Sequence, residues 1–435
     1  MAGAAGGVAR RPRAADRGAR GRRRRGRAGG DARPRGGHRG GDPRAAGPER
    51  RHAGAVSYDV AALRADQFPV TRRLAYLDNA TFGPLPRACV EAASACLREL
   101  SEGTSLPVPW ASETERVRGL AARLVGVDAA DVAFVKSSAE GMGLVALGLD
   151  WRPGDEVVVY EDEFPAGVLP WLNLAHLGVR VRFVGDRGRH RFDAADVAEL
   201  AGERTRVVCL GLVSFDNGLR TPVERVAEIC REHGAWLLVD ATQAAGVLRV
   251  DAAALGCHLL VAHGYKFLLS GHGTAICYVH PDLRASLRVP EPGWKTRRTG
   301  DGRDDTDYAD VEFVEDARRF EPSIPNLASI VGMGASLRLL LELGPDEVER
   351  RAVDLAAAAA EGVAGRGYRV VSSRLPGERS SIVSVEREGV DPDHLEAVLR
   401  EAGVVAAVRG GRLRLSLHGY NDESDVERLL AALPR

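Results

Sequence analysis

The chain runs to 435 residues, 45% of them apolar and 28% charged, and its formal net charge at pH 7 is zero. That length admits two domains with substantial cores, and the neutral balance supplies no overall basic surface for nucleic acid. No apolar run approaches the ~20 residues that span a bilayer, and no signal-peptide core is present, so no membrane partner is expected.

The neutrality conceals an asymmetry. Residues 1–52 hold 16 arginines and four acidic residues, so this segment carries about +12 and the remainder about −12. It is Gly, Ala, Arg and Pro with almost no large apolar side chain; it cannot bury a core and is expected to be disordered. It lacks the interleaved aromatics of an RNA-binding tail, and the serine of a transit peptide is missing, none occurring before Ser57. The simplest expectation is an over-extended translation start in a GC-rich gene, with the protein proper opening near Val56.

After this tail (1–55), residues 56–85 carry a short helix and an extended segment that ends in a Gly-Pro-x-Pro turn. Helices are predicted at about 86–101 and 111–126. Strands and helices then alternate, with strands at 132–137, 156–161, 179–185, 205–214, 236–242, 259–266 and 274–279. Such alternation predicts an α/β fold, a mainly parallel seven-stranded sheet covered by helices on both faces. Residues 285–320 are polar and irregular, a candidate lid or interface arm. The large domain is placed at 86–320 and a smaller α+β domain at 321–435. The latter has helices at about 326–343, 345–364, 391–402 and 422–433, and short strands at RVVSS, SIVSVER, VVAAVR and RLRLSL. Six cysteines, at 89, 96, 209, 230, 257 and 277, show no CxxC or Cys/His metal spacing and sit mostly in apolar contexts. They suit the reduced core of a cytoplasmic protein.

Two of the predicted strands end in chemistry. Trp236–Thr242 reads WLLVDAT and puts Asp240 at its carboxyl end; the next strand runs into Lys266. In an open α/β sheet, ligands sit at the carboxyl ends of strands, so an acid and an amine converge on one site. Pyridoxal phosphate needs this pair, a lysine for the Schiff base and a carboxylate to keep the pyridine nitrogen protonated. The chain holds only three lysines, Lys136, Lys266 and Lys295, against 57 arginines. A surviving lysine is a candidate for chemistry that guanidinium cannot do, and only Lys266 follows a buried strand with an acid upstream. No GxGxxG follows a strand and no GxxxxGK[ST] occurs, so dinucleotide and P-loop readings lose their support. The pairs Gly141/Gly143, Gly271/Gly273 and Gly332/Gly334 are read as turn or close-packing glycines. Ser138, Ala139 and Glu140 open a helix after the first strand, where free amides suit a phosphate. Phe164, at the end of the second strand, is placed to stack on a pyridine, and Gln243 lies one helical turn after Asp240.

Together these pieces resemble the fold-type-I pyridoxal phosphate enzymes of the class V aminotransferase superfamily. The branch resembled holds cysteine desulfurases, selenocysteine lyases and isopenicillin N epimerase-like proteins. The resemblance rests on YLDNAT (76–81), SSAEG (137–141), EFP (163–165), VDATQ (239–243), HGYK (263–266), RFEPSIPN (319–326) and RLRLSLHGYN (412–421). It implies Lys266 as the Schiff-base lysine, Asp240 on the pyridine nitrogen, Gln243 at the phenolic oxygen and Phe164 over the ring. His263 and Tyr265 match phosphate-binding positions, Arg414 the clamp on the substrate α-carboxylate, and Asn79 a substrate contact. A homodimer is implied as well. Three departures stand out. The mobile cysteine that desulfurases carry before the final arginine is missing, since no cysteine follows Cys277. Phe215 replaces the usual Asn after the fourth strand, and Ile324 replaces the Thr that reaches the phosphate from a neighbouring subunit.

The expected activity is that of a pyridoxal phosphate enzyme on an amino acid or amino-acid conjugate, through a Lys266 aldimine and removal of the Cα proton by the freed lysine. β-Elimination of the C–S lyase type is favoured, with transamination and epimerisation as alternatives that use the same residues. A cofactor-binding regulator without turnover has no need of the carboxylate clamp.

Overall fold

The structure is a computed structural model and describes residues 58–103, 107–186, 188–298 and 311–434. The arginine-rich segment 1–55, and with it the disorder expected there, and residues 299–310 of the polar stretch 285–320 lie outside the described residues. The strands are β1 (Ala75–Tyr76), β2 (Val132–Val135), β3 (Glu156–Tyr160), β4 (Arg180–Val184), β5 (Thr205–Gly211), β6 (Trp236–Asp240), β7 (Leu259–His263) and β8 (Ala275–Val279). A second group follows: β9 (Arg369–Val370), β10 (Ile382–Glu386), β11 (Val404–Val405), β12 (Ala407–Arg409) and β13 (Arg412–Ser416).

Seven strands form the central sheet in the order β2-β8-β7-β6-β5-β3-β4. Only β8 runs antiparallel to its neighbours. The period-2 alternation of a strand buried on both faces explains the apolar runs. Val158, Val208, Leu237 and Leu260 enter the core on one face; Val157, Val207, Leu238 and Leu259 enter it on the other. The smaller sheet is antiparallel, order β12-β13-β10-β9. It shares a third core with the helices Pro345–Ala364, Pro392–Glu401 and Glu423–Ala432.

Two assignments change. The helix Leu327–Leu343, placed in the C-terminal domain by sequence, packs on the helices Arg87–Glu102 and Pro107–Val125, and Ile330, Met333 and Leu337 belong to the large core. Its glycines permit that approach: a Cβ on Gly334 would stand 2.5 Å from Val117. The N-terminal segment joins the C-terminal domain through β1, which pairs in parallel with β11, Ala75 opposite Val404 and Tyr76 opposite Val405. Among the described residues no single helix is long and apolar enough to cross a membrane.

Candidate active site

A cavity opens at the carboxyl ends of β3, β5, β6 and β7 and the start of the helix Ser138–Gly148. Asp240 closes β6; its Oδ1 accepts the Thr242 amide at 2.8 Å, and the Thr242 hydroxyl accepts the His263 amide at 3.1 Å. The ends of β6 and β7 are thereby locked together. Lys266 lies not on β7 but three residues past it, in a turn whose next bend puts Leu269 at φ 53°. The turn is backed by the N-terminal segment: Gly83 donates to the Tyr265 carbonyl at 2.8 Å, and a Cβ there would sit 2.1 Å from the Lys266 carbonyl oxygen. Glycine is required at this contact.

Lys266 is 7% exposed. Burial pushes its ammonium down to about 8, Arg414 and Arg409 acting the same way while Asp240 and Asp78 oppose them. An amine so placed is partly neutral near physiological pH, as a nucleophile or proton acceptor requires. Its Nζ lies 5.2 Å from the centre of the Phe164 ring, which itself meets Phe215 edge-on at 5.3 Å. His263 is driven down to about 4 by burial, aided by Lys266 and His272, so it stays neutral. Tyr265 stacks on His272, ring centres 5.0 Å apart.

Eight of the expected residues thus line one cavity: Ser138, Ala139, Phe164, Asp240, Gln243, His263, Tyr265 and Lys266. Glu140 does not join them. Its amide is taken by the Ser137 hydroxyl at 3.2 Å, and its carboxylate turns back to the Lys136 amide at 2.5 Å and lies 3.4 Å from Lys136 Nζ. Capping of the helix has consumed it, leaving the Ser138 and Ala139 amides for an anion. Asn79 is also corrected: fully buried, it donates to the Ser416 carbonyl at 2.8 Å and accepts from the Tyr420 hydroxyl at 2.9 Å. Both ends of its side chain are committed to joining the N-terminal segment to the small domain. Its neighbours Asp78 and Thr81 accept from Arg414 instead.

Arg414, 1% exposed, sits behind Phe215. It donates to the Phe215 carbonyl at 2.6 Å, to Thr81 Oγ1 at 2.7 Å and to Asp78 at 3.3 Å, while its Nε has no partner among the described residues. Burial lowers even this guanidinium, to about 10. Ile324 is 56% exposed and lines no part of the cavity.

Among the lining residues that were not foreseen is a buried carboxylate. Glu163 accepts the Phe164 amide at 2.8 Å and the Gly211 amide at 2.5 Å. Burial pushes its carboxyl up to about 7, the two amides opposing and Asp240 adding to the rise. In the acidic run YEDEF it looks like one more solvated carboxylate; the only hint was its place directly before Phe164.

The cavity residues fit pyridoxal phosphate. Gln243 Oε1 and His263 Nε2 are buried polar atoms without partners among the described residues, an expensive arrangement unless a polar ligand arrives. Lys266, Asp240, an aromatic face and two amides at a helix start complete the donor set. Fold and site together define a pyridoxal phosphate-dependent enzyme, a lyase or an aminotransferase. The chain belongs to the class-V aminotransferase family, whose model matches residues 75–429. A probable cysteine desulfurase of Pseudomonas aeruginosa is 30% identical over 390 residues, covering 83% of this chain and 93% of that protein. In fold, the chain resembles a cysteine desulfurase from Thermococcus onnurineus NA1, with a TM-score of 0.78 and 24% identity over 85% of this chain and 96% of that one. It is also similar to the cystine C-S lyase C-DES, with a TM-score of 0.77 and 23% identity over 84% of this chain and 98% of that one.

Proposed function

We propose that the enzyme removes the Cα proton of an α-amino acid or amino-acid conjugate and expels a β-substituent, as a carbon–sulfur lyase does. The observation that carries this reading is the connection between β12 and β13. Gly410 and Gly411, at φ 54° and 72°, close it as a two-residue hairpin, a turn that demands positive φ at both positions. Desulfurases place a mobile cysteine in the segment before the final arginine. Here that segment has neither the length nor the thiol, and the six cysteines of the chain are buried elsewhere. Sulfur abstraction through an enzyme persulfide therefore lacks its nucleophile, and a sulfur leaving group departs with its own substituent.

When bound, the cofactor supplies a sink for the electron pair left at Cα. Asp240 is positioned to keep the pyridine nitrogen protonated, and Phe164 to cover the ring. Lys266 would hold the cofactor, and its Nζ, its lowered proton affinity keeping a neutral fraction available, would accept the Cα proton. The electron pair of the breaking C–S bond leaves with sulfur. A substrate carboxylate at Arg414 meets a free Nε and an Nη2 shared between Asp78 and Thr81. The exposed Leu85, Val90 and Leu97 form an apolar strip along one helix and its approach, which supports a homodimer.

Borohydride reduction followed by peptide mapping tests the cofactor attachment: the label is expected on Lys266, and a label on Lys136 or Lys295 overturns it. Product analysis with amino acids and cysteine conjugates tests the reaction. Free thiol, ammonia and a keto acid support elimination; pyridoxamine phosphate accumulating instead assigns transamination.

A further inference from the structure

We propose that Arg409 is a second anion-binding position beside Arg414, and that the substrate is an α-amino acid with a further acidic group on its side chain. The inference rests on the reading of Arg414 as the α-carboxylate site. In the antiparallel pair β12–β13, Arg409 stands opposite Arg412 and Ala407 opposite Arg414, so all four share one face of the small sheet. Three guanidiniums on one face must be neutralised, and they are treated differently. Arg412 has Asp216 at 2.8 Å and Glu386 at 3.2 Å. Arg414 has Asp78. Arg409 donates to its neighbour's carbonyl, Val408, at 2.7 Å and to Thr81 Oγ1 at 3.2 Å, and has no carboxylate within 4.0 Å among the described residues.

Arg409 and Arg414 thus converge on one hydroxyl. The segment around Thr81 is tied to two cavity residues: the Ala80 carbonyl accepts Gln243 Nε2 at 3.2 Å, and the Gly83 amide donates to the Tyr265 carbonyl. Both guanidiniums act on the Lys266 ammonium across this contact. Asp240 and Asp78 act on Lys266, and Asp78 and Asp216 on Arg414; of the three arginines on this face only Arg409 has no carboxylate within 4.0 Å among the described residues, and an arriving anion would pair it. Diagonal neighbours on adjacent strands stand roughly 7–8 Å apart, a spacing that short diacids span, and Ala407 opposite Arg414 adds no bulk between them.

The test is spectrophotometric titration of the cofactor-loaded protein with two near-isosteric pairs, L-aspartate against L-asparagine and L-glutamate against L-glutamine. In at least one pair the acid is expected to bind tenfold or more tightly than the amide. Arg409→Gln should bring that ratio to within about twofold of one. Arg412→Gln, which removes an equal charge from the same face, should preserve it. Ratios near one for both wild-type pairs overturn the inference, as does a wild-type ratio surviving in Arg409→Gln or lost equally in Arg412→Gln. The wild-type ratio needs no variant and decides alone if Arg409→Gln does not fold. Protein that borohydride does not label at Lys266 fails the cofactor reading instead, a separate outcome.

Discussion

Replacing the buried lysine should stabilise the cofactor-free protein, by an amount that depends on pH in a defined way. Below pH about 8, Lys266 carries its proton in both the folded and the unfolded chain, so the folded state holds a buried cation at constant cost. Between about 8 and 10.5 the folded chain gives up the proton first, and each pH unit removes about 1.4 kcal/mol of that cost. Above 10.5 both states are neutral and the cost has gone. Integrated over the interval, the cost at pH 7 is about 3 kcal/mol at most. Methionine has a similar length and no charge, and adapts to irregular cavities. Lys266→Met is therefore expected to be about 2–3 kcal/mol more stable than the parent at pH 7, with the advantage shrinking towards zero by pH 10.5. Urea denaturation of both proteins between pH 7 and 10.5, followed by tryptophan fluorescence, gives the two curves. A variant less stable at pH 7, or an advantage that does not narrow as pH rises, refutes the account. The price of the catalytic amine would then lie elsewhere.

Arg414→Ala should keep the bound cofactor but lose a charge-assisted contact of about 1.5–3 kcal/mol, roughly ten- to hundred-fold in kcat/KM; unchanged kcat/KM on the best substrate would move the carboxylate clamp to another residue. Gly83→Ala puts a methyl group 2.1 Å from the Lys266 carbonyl oxygen, so cofactor affinity measured by fluorescence titration should fall. Gly143→Ala, with nothing within 4 Å of its added Cβ, is the control. Equal affinities in these two variants would show that the Lys266 turn does not depend on the Gly83 contact.

The sheet and the heart of the site were legible because each rests on local chemistry. Apolar runs of strand length define β5, β6 and β7, and a chain that has discarded nearly all its lysines makes Lys266 conspicuous. The carboxyl-end rule then joins it to Asp240. What escaped depends on contacts distant in sequence. Glu163 is distinguished from its acidic neighbours only because β5 brings the Gly211 amide, 48 positions away, to its carboxylate. Asn79 lies inside a motif expected to face the site, but the turn at 79–81, closed by the Thr81 and Phe82 amides on the Asp78 carbonyl, directs it towards Ser416 and Tyr420 while Asp78 and Thr81 contact Arg414. Glu140 was read for its amide alone; the Ser137 cap that occupies it is a side-chain choice. The helix Leu327–Leu343 is apolar on nearly every side, so its sequence shows that it is buried and not against what.

The parallel pairing of β1 with β11 has a consequence for how the protein is made. Asn79 and Ser416 are 337 positions apart. A ribosome adding roughly 5–20 residues per second needs roughly 20 s to a minute to cover that distance. Throughout that interval Ala75, which ends up 1% exposed, belongs to a strand whose partner does not yet exist, and Leu77, 0% exposed in the end, directly follows it. The large sheet can assemble during synthesis, but the turn holding Lys266 gains its Gly83 support only as this early segment settles into place. Completion of the small domain awaits the helix Glu423–Ala432, whose Val426 and Leu429 belong to its core. A nascent chain stalled before β11 would therefore show an unpaired edge to other chains, and its shortness, two residues, limits what that edge can capture.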